Sequence, residues 1–144
     1  MTSDQKGVIA ETAVIHSAAK LDVPVLKPVN DGLRYDLAFD LGHRIRRVQC
    51  KWAPRRGDCI IVNSRTCRRG RDGFIRSTYS PDDVDLVAAY CADVDSCYAI
   101  PIGRLAGRPS IALRLAPTKN NQQKGVNWAG DYEFAAKLSQ LVGP

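Results

Sequence analysis

No run in this chain approaches the ~20 apolar residues that a bilayer-spanning helix needs. The opening residues, MTSDQKG, also lack the apolar core of a signal peptide. The expectation is a protein that stays in the cytoplasm and has no membrane partner. Histidine is scarce, with only His16 and His43 present. The five cysteines, Cys50, Cys59, Cys67, Cys91 and Cys97, are an odd set without a CxxC pair. A disulfide framework or a zinc site asks for tighter pairing or supporting histidines, so the cysteines in apolar strand-like runs read as small core residues. There is no internal repeat, no low-complexity linker and no RRM-type RNA-binding signature.

What remains is an ordinary globular composition, 44% hydrophobic and 25% charged over 144 residues. One domain spanning 1–144 is expected, large enough to bury roughly two thirds of its unfolded surface. The charge, however, is segregated. Residues 44–76 hold 11 basic side chains against two acidic ones, Asp58 and Asp72, for a local balance of +9, while the rest of the chain sums to −3. Charge gathered in this way is the footprint of a polyanion binder.

Residues 34–52, RYDLAFDLGHRIRRVQCKW, read as a β-hairpin. Two alternating segments meet at Leu41-Gly42, where glycine permits the φ > 0 of a tight turn. Tyr35, Leu37 and Phe39 then share one face with Val48, Cys50 and Trp52. The other face collects Arg34, Asp36, Asp40, Arg47, Gln49 and Lys51, a close group of acids, amide and amines. Residues 3–21 read as a helix capped by Ser3 or Asp4, with Ala10, Val14, Ala18 and Leu21 as its apolar stripe and Glu11 beside it. Gly7 lies one turn before Glu11, and close approach of a backbone or a nucleic acid is a reason for glycine there.

Asp36 precedes Gln49 by 13 positions, and Gln49 and Lys51 are i and i+2. With Gly7-Val8-Ile9-Ala10-Glu11, Tyr35-Asp36-Leu37-Ala38-Phe39-Asp40 and Val48-Gln49-Cys50-Lys51, the sequence resembles the PD-(D/E)XK nuclease superfamily. More narrowly, it is similar to the homing endonucleases of group I introns, relatives of archaeal Holliday-junction resolvases. Ala116-Pro117-Thr118-Lys119-Asn120-Asn121-Gln122 and Asn127-Trp128-Ala129 look like that family's C-terminal pattern. The resemblance implies an α/β fold with a restriction-endonuclease-like core: an N-terminal helix, then a mixed β-sheet with a flanking helix. It also implies catalytic roles for Glu11, Asp36, Gln49 and Lys51, with Mg²⁺ (Mn²⁺ as substitute) held by Asp36, Gln49 and Glu11. Gln49 departs from the pattern, which has a carboxylate there, and the missing charge should weaken metal affinity. For Lys51, positioning of the attacking water is favoured over proton abstraction, because nearby carboxylates raise a lysine's pKa.

Past the hairpin, residues 54–57 form a basic turn into a strand over 58–63. Residues 65–73 read as a glycine-punctuated loop with four arginines, and 74–79 as a further strand or hairpin arm. Residues 84–90 and 96–102 read as strands, with a short helix as the alternative for the first, and 111–115 as another strand. The helix over 131–142 buries Phe134, Leu138 and Leu141. Arg44, Arg46, Arg55, Arg56, Arg65, Arg68, Arg69 and Arg71 are the expected phosphate contacts. Lys119, Asn120, Asn121 and Gln122 are expected at the DNA as well, since amides can read adenine edges. Three functions remain open. The preferred one is a homing-type, site-specific endonuclease cutting double-stranded DNA as a homodimer or homotetramer. The others are a structure-selective resolvase of Holliday junctions and a catalytically decayed DNA-binding module in which Gln49 marks the decay.

Overall fold

In a computed structural model the described residues are 1–70 and 73–141, with the backbone alone for 66–70 and 73–77. The chain opens on helix α1 (Ser3–Lys20). Thr2, not Ser3 or Asp4, is its cap. Its hydroxyl accepts from Gln5 N at 3.1 Å while its own N–H donates to Gln5 Oε1 at 2.8 Å, a reciprocal capping box. Ala10, Val14 and Ala18 are buried as their spacing requires. Leu21 is not: the helix ends before it, and it is 37% exposed.

The central sheet has five strands in the order β1-β2-β3-β8-β9: β1 (Val25–Leu26), β2 (Leu37–Asp40), β3 (Ile45–Trp52), β8 (Leu86–Cys91) and β9 (Ser96–Pro101). β3 and β8 run parallel and every other pair antiparallel, so the sheet is mixed. The expected hairpin is β2–β3, with Asp40 opposite Ile45. Gly42, at φ 89°, is its one turn residue with positive φ, the pattern of a type II′ turn. Asp40 Oδ1 accepts from Gly42 N at 2.9 Å and thus serves the turn rather than a reaction centre. The run over 84–90 is the strand β8 and not the alternative helix, because it is threaded beside β3 with both faces covered.

One face of this sheet packs under α1 and the closing helix α2 (Phe134–Leu141), where Val14, Ala18, Leu37, Phe39, Val48, Phe134 and Leu138 form a buried cluster. The other face is covered by a second sheet, of order β10-β5-β4: β10 (Ser110–Arg114), β5 (Cys59–Asn63) and β4 (Arg55–Arg56). It buries Ile60, Val62, Val87, Ala89, Tyr98, Ile100 and Leu113. Tyr35 lies before β2 and packs on this second cluster, so it does not share a face with Leu37 and Phe39. The arginine-rich stretch expected as a loop is a hairpin, β6 (Arg65–Gly70) with β7 (Gly73–Thr78), closing at the pair Gly70–Gly73. Of the expected contacts, Arg71 lies outside the described residues, as do the side chains of Arg68 and Arg69. Cys91 and Cys97 are buried, Cys50 and Cys59 half-buried, and all four are free thiols. Among the described residues no helix is long and apolar enough to cross a membrane.

Candidate active site

Parallel pairing sets Gln49 opposite Val87 and Lys51 opposite Ala89. Both side chains therefore project toward the second sheet. Neither is fully buried there. Asp36 precedes β2, and its N–H donates to Val48 O at 2.9 Å. Its Oδ2 accepts from Cys50 N at 2.9 Å, so the carboxylate is pinned to the backbone between Gln49 and Lys51. The sequence spacing thus closes in space on the hairpin.

The carboxyl of Asp36 is raised above its ordinary pKa, first by burial and then by the negative charge of Glu11. The Cys50 N–H, Lys51 and Lys27 pull the other way. Lys51 is lowered: burial outweighs the attraction of Asp36. Its ammonium donates to Arg65 O at 3.0 Å and sits 5.0 Å from the centre of the Tyr79 ring. The nearby carboxylate does push this lysine up, as expected, but removal from water is the larger effect. Gln49 Nε2 donates to Cys50 O at 3.4 Å, which leaves Oε1 as the free end of the amide.

Glu11 reaches the group from α1 and is half-buried. Its Oε1 pairs with Lys27 Nζ at 2.9 Å. That hydrogen bond and the charge of Glu11 raise Lys27, with a further contribution from Asp36. Lys27 and Tyr79 were not expected at the site. Lys27 lies in a proline-flanked segment with no chemical pattern, and Tyr79 stood only as the end of a strand. Tyr79 is 6% exposed and its phenol is pushed up to about 12, chiefly by burial.

Glu11, Asp36 and Lys51 therefore form one electrostatic group, with Gln49 beside Asp36 on the same strand pair. Among the described residues no three His, Cys, Asp or Glu side chains gather in the manner of a metal cage. The donor set is two carboxylates and one amide oxygen. It suits a hard cation that keeps several waters, and a cation would favour the Asp36 anion that burial, and after it the charge of Glu11, disfavours. The remaining polar residues of the hairpin serve the fold. Arg47 donates from N and Nε to Asp85 Oδ2 at 2.7 and 3.3 Å and from its NH groups to the carbonyls of Pro81 and Asp82. Arg34 pairs with Asp83 at 3.4 Å.

The expected DNA contacts divide similarly. Arg44, Arg55, Arg56 and Arg65 are exposed, whereas Arg46 leans toward Asp85 at 4.0 Å. Lys119, Asn120, Asn121 and Gln122 are exposed on one loop, but Asn120 Oδ1 accepts from Gln122 N and Gln122 Nε2 donates to Lys124 O. Two of these side chains thus hold the loop's own shape. Gly7 meets nothing within 4 Å of where a Cβ would stand, so no backbone approach explains it.

Comparison with known proteins identifies the family. No curated protein matches the chain significantly. Among solved structures it is similar to a bacterial homing endonuclease, I-Ssp6803I, at 29% identity and a TM-score of 0.74, over 98% of this chain and 95% of that one. A family model described as PD-(D/E)XK endonuclease matches residues 1–135, nearly the whole chain and every residue of the group around Asp36. On that match the chain belongs to the PD-(D/E)XK endonuclease family.

Proposed function

We propose that the chain is a divalent-metal-dependent endonuclease that hydrolyses phosphodiester bonds of duplex DNA at a specific site, in the manner of a homing enzyme, and that it acts as a homodimer or homotetramer. The observation that carries the reading is Asp36, tied to the strand between Gln49 and Lys51 and destabilised as an anion by burial beside Glu11. Asp36, Gln49 Oε1 and Glu11 would hold Mg²⁺, or Mn²⁺ in its place, which when bound supplies charge stabilisation at phosphorus and an acidified water.

The chain's own residues do the rest. Lys27 neutralises Glu11 in the free protein and must yield when a cation takes its place. The carbonyl of Arg65 aims the Lys51 ammonium. Burial brings this lysine closer to giving up its proton, so it can either orient the attacking water or accept a proton from it. The exposed arginines between Arg44 and Arg65 give the phosphate backbone an electrostatic track.

The test is incubation of supercoiled plasmid, a linear duplex library and a synthetic four-way junction, with and without Mg²⁺, for the wild type and Asp36→Asn. Cleavage of the library at one site, dependent on both metal and Asp36, supports the reading. Cutting of the junction alone makes the protein a resolvase, and binding without cutting makes it a decayed module.

A further inference from the structure

A recess of about 640 Å³, lined by no residue of the Asp36 group, lies between the 3₁₀ turn Ile102–Arg104, the segment 125–128 and the start of α2. Arg104, Arg108 and Lys137 line it, with Asp131 the one acid among them. Among the described residues none of the three cations has a carboxylate within 4.0 Å, in contrast to Arg47, Arg55 and Arg114, which are all paired. Trp128 and Tyr132 supply aromatic wall, with Lys137 Nζ at 5.0 Å from the Tyr132 ring centre. Asn127 offers an amide, whose oxygen accepts from the Tyr132 hydroxyl at 3.5 Å.

Unpaired cations on a convex surface are ordinary solvated charge. Three that converge in a concavity repel one another and focus a positive field within it, which favours an anion. Aromatic faces between cations add the second feature of grooves that follow nucleic acid. The recess is also joined mechanically to the reaction centre. Buried Ser64 donates from Oγ to Arg108 O and from N to Pro109 O at 3.0 Å, and its carbonyl accepts from Tyr79 N at 3.1 Å. Arg65, the next residue, offers Lys51 its carbonyl. One hydrogen-bonded junction therefore links both.

We propose that this recess is a second phosphate site, taking backbone phosphates of the bound DNA at a distance from the bond that is cut. The inference rests on the DNA-cleaving reading above and adds to it contacts outside the arginine-rich segment. A small phosphate ligand shares the same chemistry, and the test separates the two sources.

The experiment uses Trp52→Phe protein, in which Trp128 is the sole tryptophan, and follows its emission in EDTA buffer while titrating a long duplex, a short duplex or inorganic phosphate over a salt series. The long duplex is expected to change Trp128 emission. Arg104→Gln/Arg108→Gln/Lys137→Gln should lower the slope of log K against log salt by about 2–3, at about 0.9 per lost phosphate contact. Its affinity should fall about tenfold or more at fixed salt. Should the triple variant lose its folded circular dichroism, each single variant must still lower the slope by about 0.9. An unchanged slope overturns the proposal, and so does a Trp128 response to inorganic phosphate at the concentrations effective for duplex. Cleavage by wild type is read in parallel. A wild type that cuts DNA while the variants keep its salt slope sinks this inference alone. A wild type that binds with the expected slope difference but never cuts sinks the catalytic reading alone, and one that neither binds nor cuts sinks both.

Discussion

Asp85 and Asp36 stand on either side of the same strand and receive the same kind of bond from it. Asp85 Oδ2 accepts the Arg47 N–H of β3 from the β8 side, and Asp36 Oδ2 accepts the Cys50 N–H from the β2 side. Their electrostatics are opposite. Burial disfavours both anions, but Asp85 also takes the Arg47 guanidinium, and its carboxyl ends below the ordinary value. Asp36 has the backbone bond and no guanidinium bound to it, and burial with the charge of Glu11 outweighs the pull of Cys50 N–H, Lys51 and Lys27, so it ends above. A carboxylate whose partners are complete stabilises the fold. One left short of positive charge costs stability and is available to bind a cation. The contrast is the stability–function trade-off expected of a reaction centre.

The largest effect that tests this contrast is on cleavage. Asp36→Asn is expected to lower the cleavage rate by about 10²–10³-fold or more, while Tm stays level or rises, since a disfavoured anion has been removed. A clear loss of Tm would erase the distinction from Asp85. Lys51→Met comes next, with a loss of about 10²-fold in cleavage and no loss of Tm, because the ammonium it removes is held below its ordinary pKa by burial. Asp85→Asn should do the reverse. Its folded protein keeps cutting, but stability falls by about 1–3 kcal/mol as charge-assisted bonds to Arg47 weaken, or roughly 3–10 °C in Tm.

The pH dependences of the two aspartates also diverge. Asp36, raised in the folded state, binds more protons folded than unfolded, so its contribution to stability declines as pH rises from about 4 through its raised folded value. Asp85, lowered, contributes fully above about 4 and loses its contribution as pH falls through its lowered value. Thermal melts of the two Asn variants against wild type across the acid range should show differences of opposite slope. The smallest effect is at Lys27. Lys27→Met should reduce the Mg²⁺ needed for half-maximal binding, read by calorimetry, by several-fold at equal Tm, since the exposed ammonium no longer competes for Glu11.

How much of this was legible in the sequence follows from the range of each interaction. The β2–β3 hairpin was, because alternation and one glycine specify it locally. The convergence of Asp36, Gln49 and Lys51 followed, since strand register alone brings them together. Glu11 was readable on its helix, though what it pairs with was not. Lys27 and Tyr79 come from segments whose positions depend on long-range packing, and no spacing points to them. The parallel pairing of β3 with β8 and the sheet β10-β5-β4 were illegible for the same reason, and with them went the knowledge that the polar face of the hairpin is itself partly roofed. The 65–73 stretch misled because arginine and glycine are poor strand signals. There the backbone pairing overrides local propensity.

The position of β3, third of five strands and laddered on both sides, has a consequence for slow opening motions. Its amides are expected to be among the last to exchange with deuterium, released only when the whole sheet comes apart. β1, a two-residue margin, should fray on its own far more often. Lys27 follows directly on that margin, so brief openings there can loosen its hold on Glu11 while the strand bearing Gln49 and Lys51 stays shut.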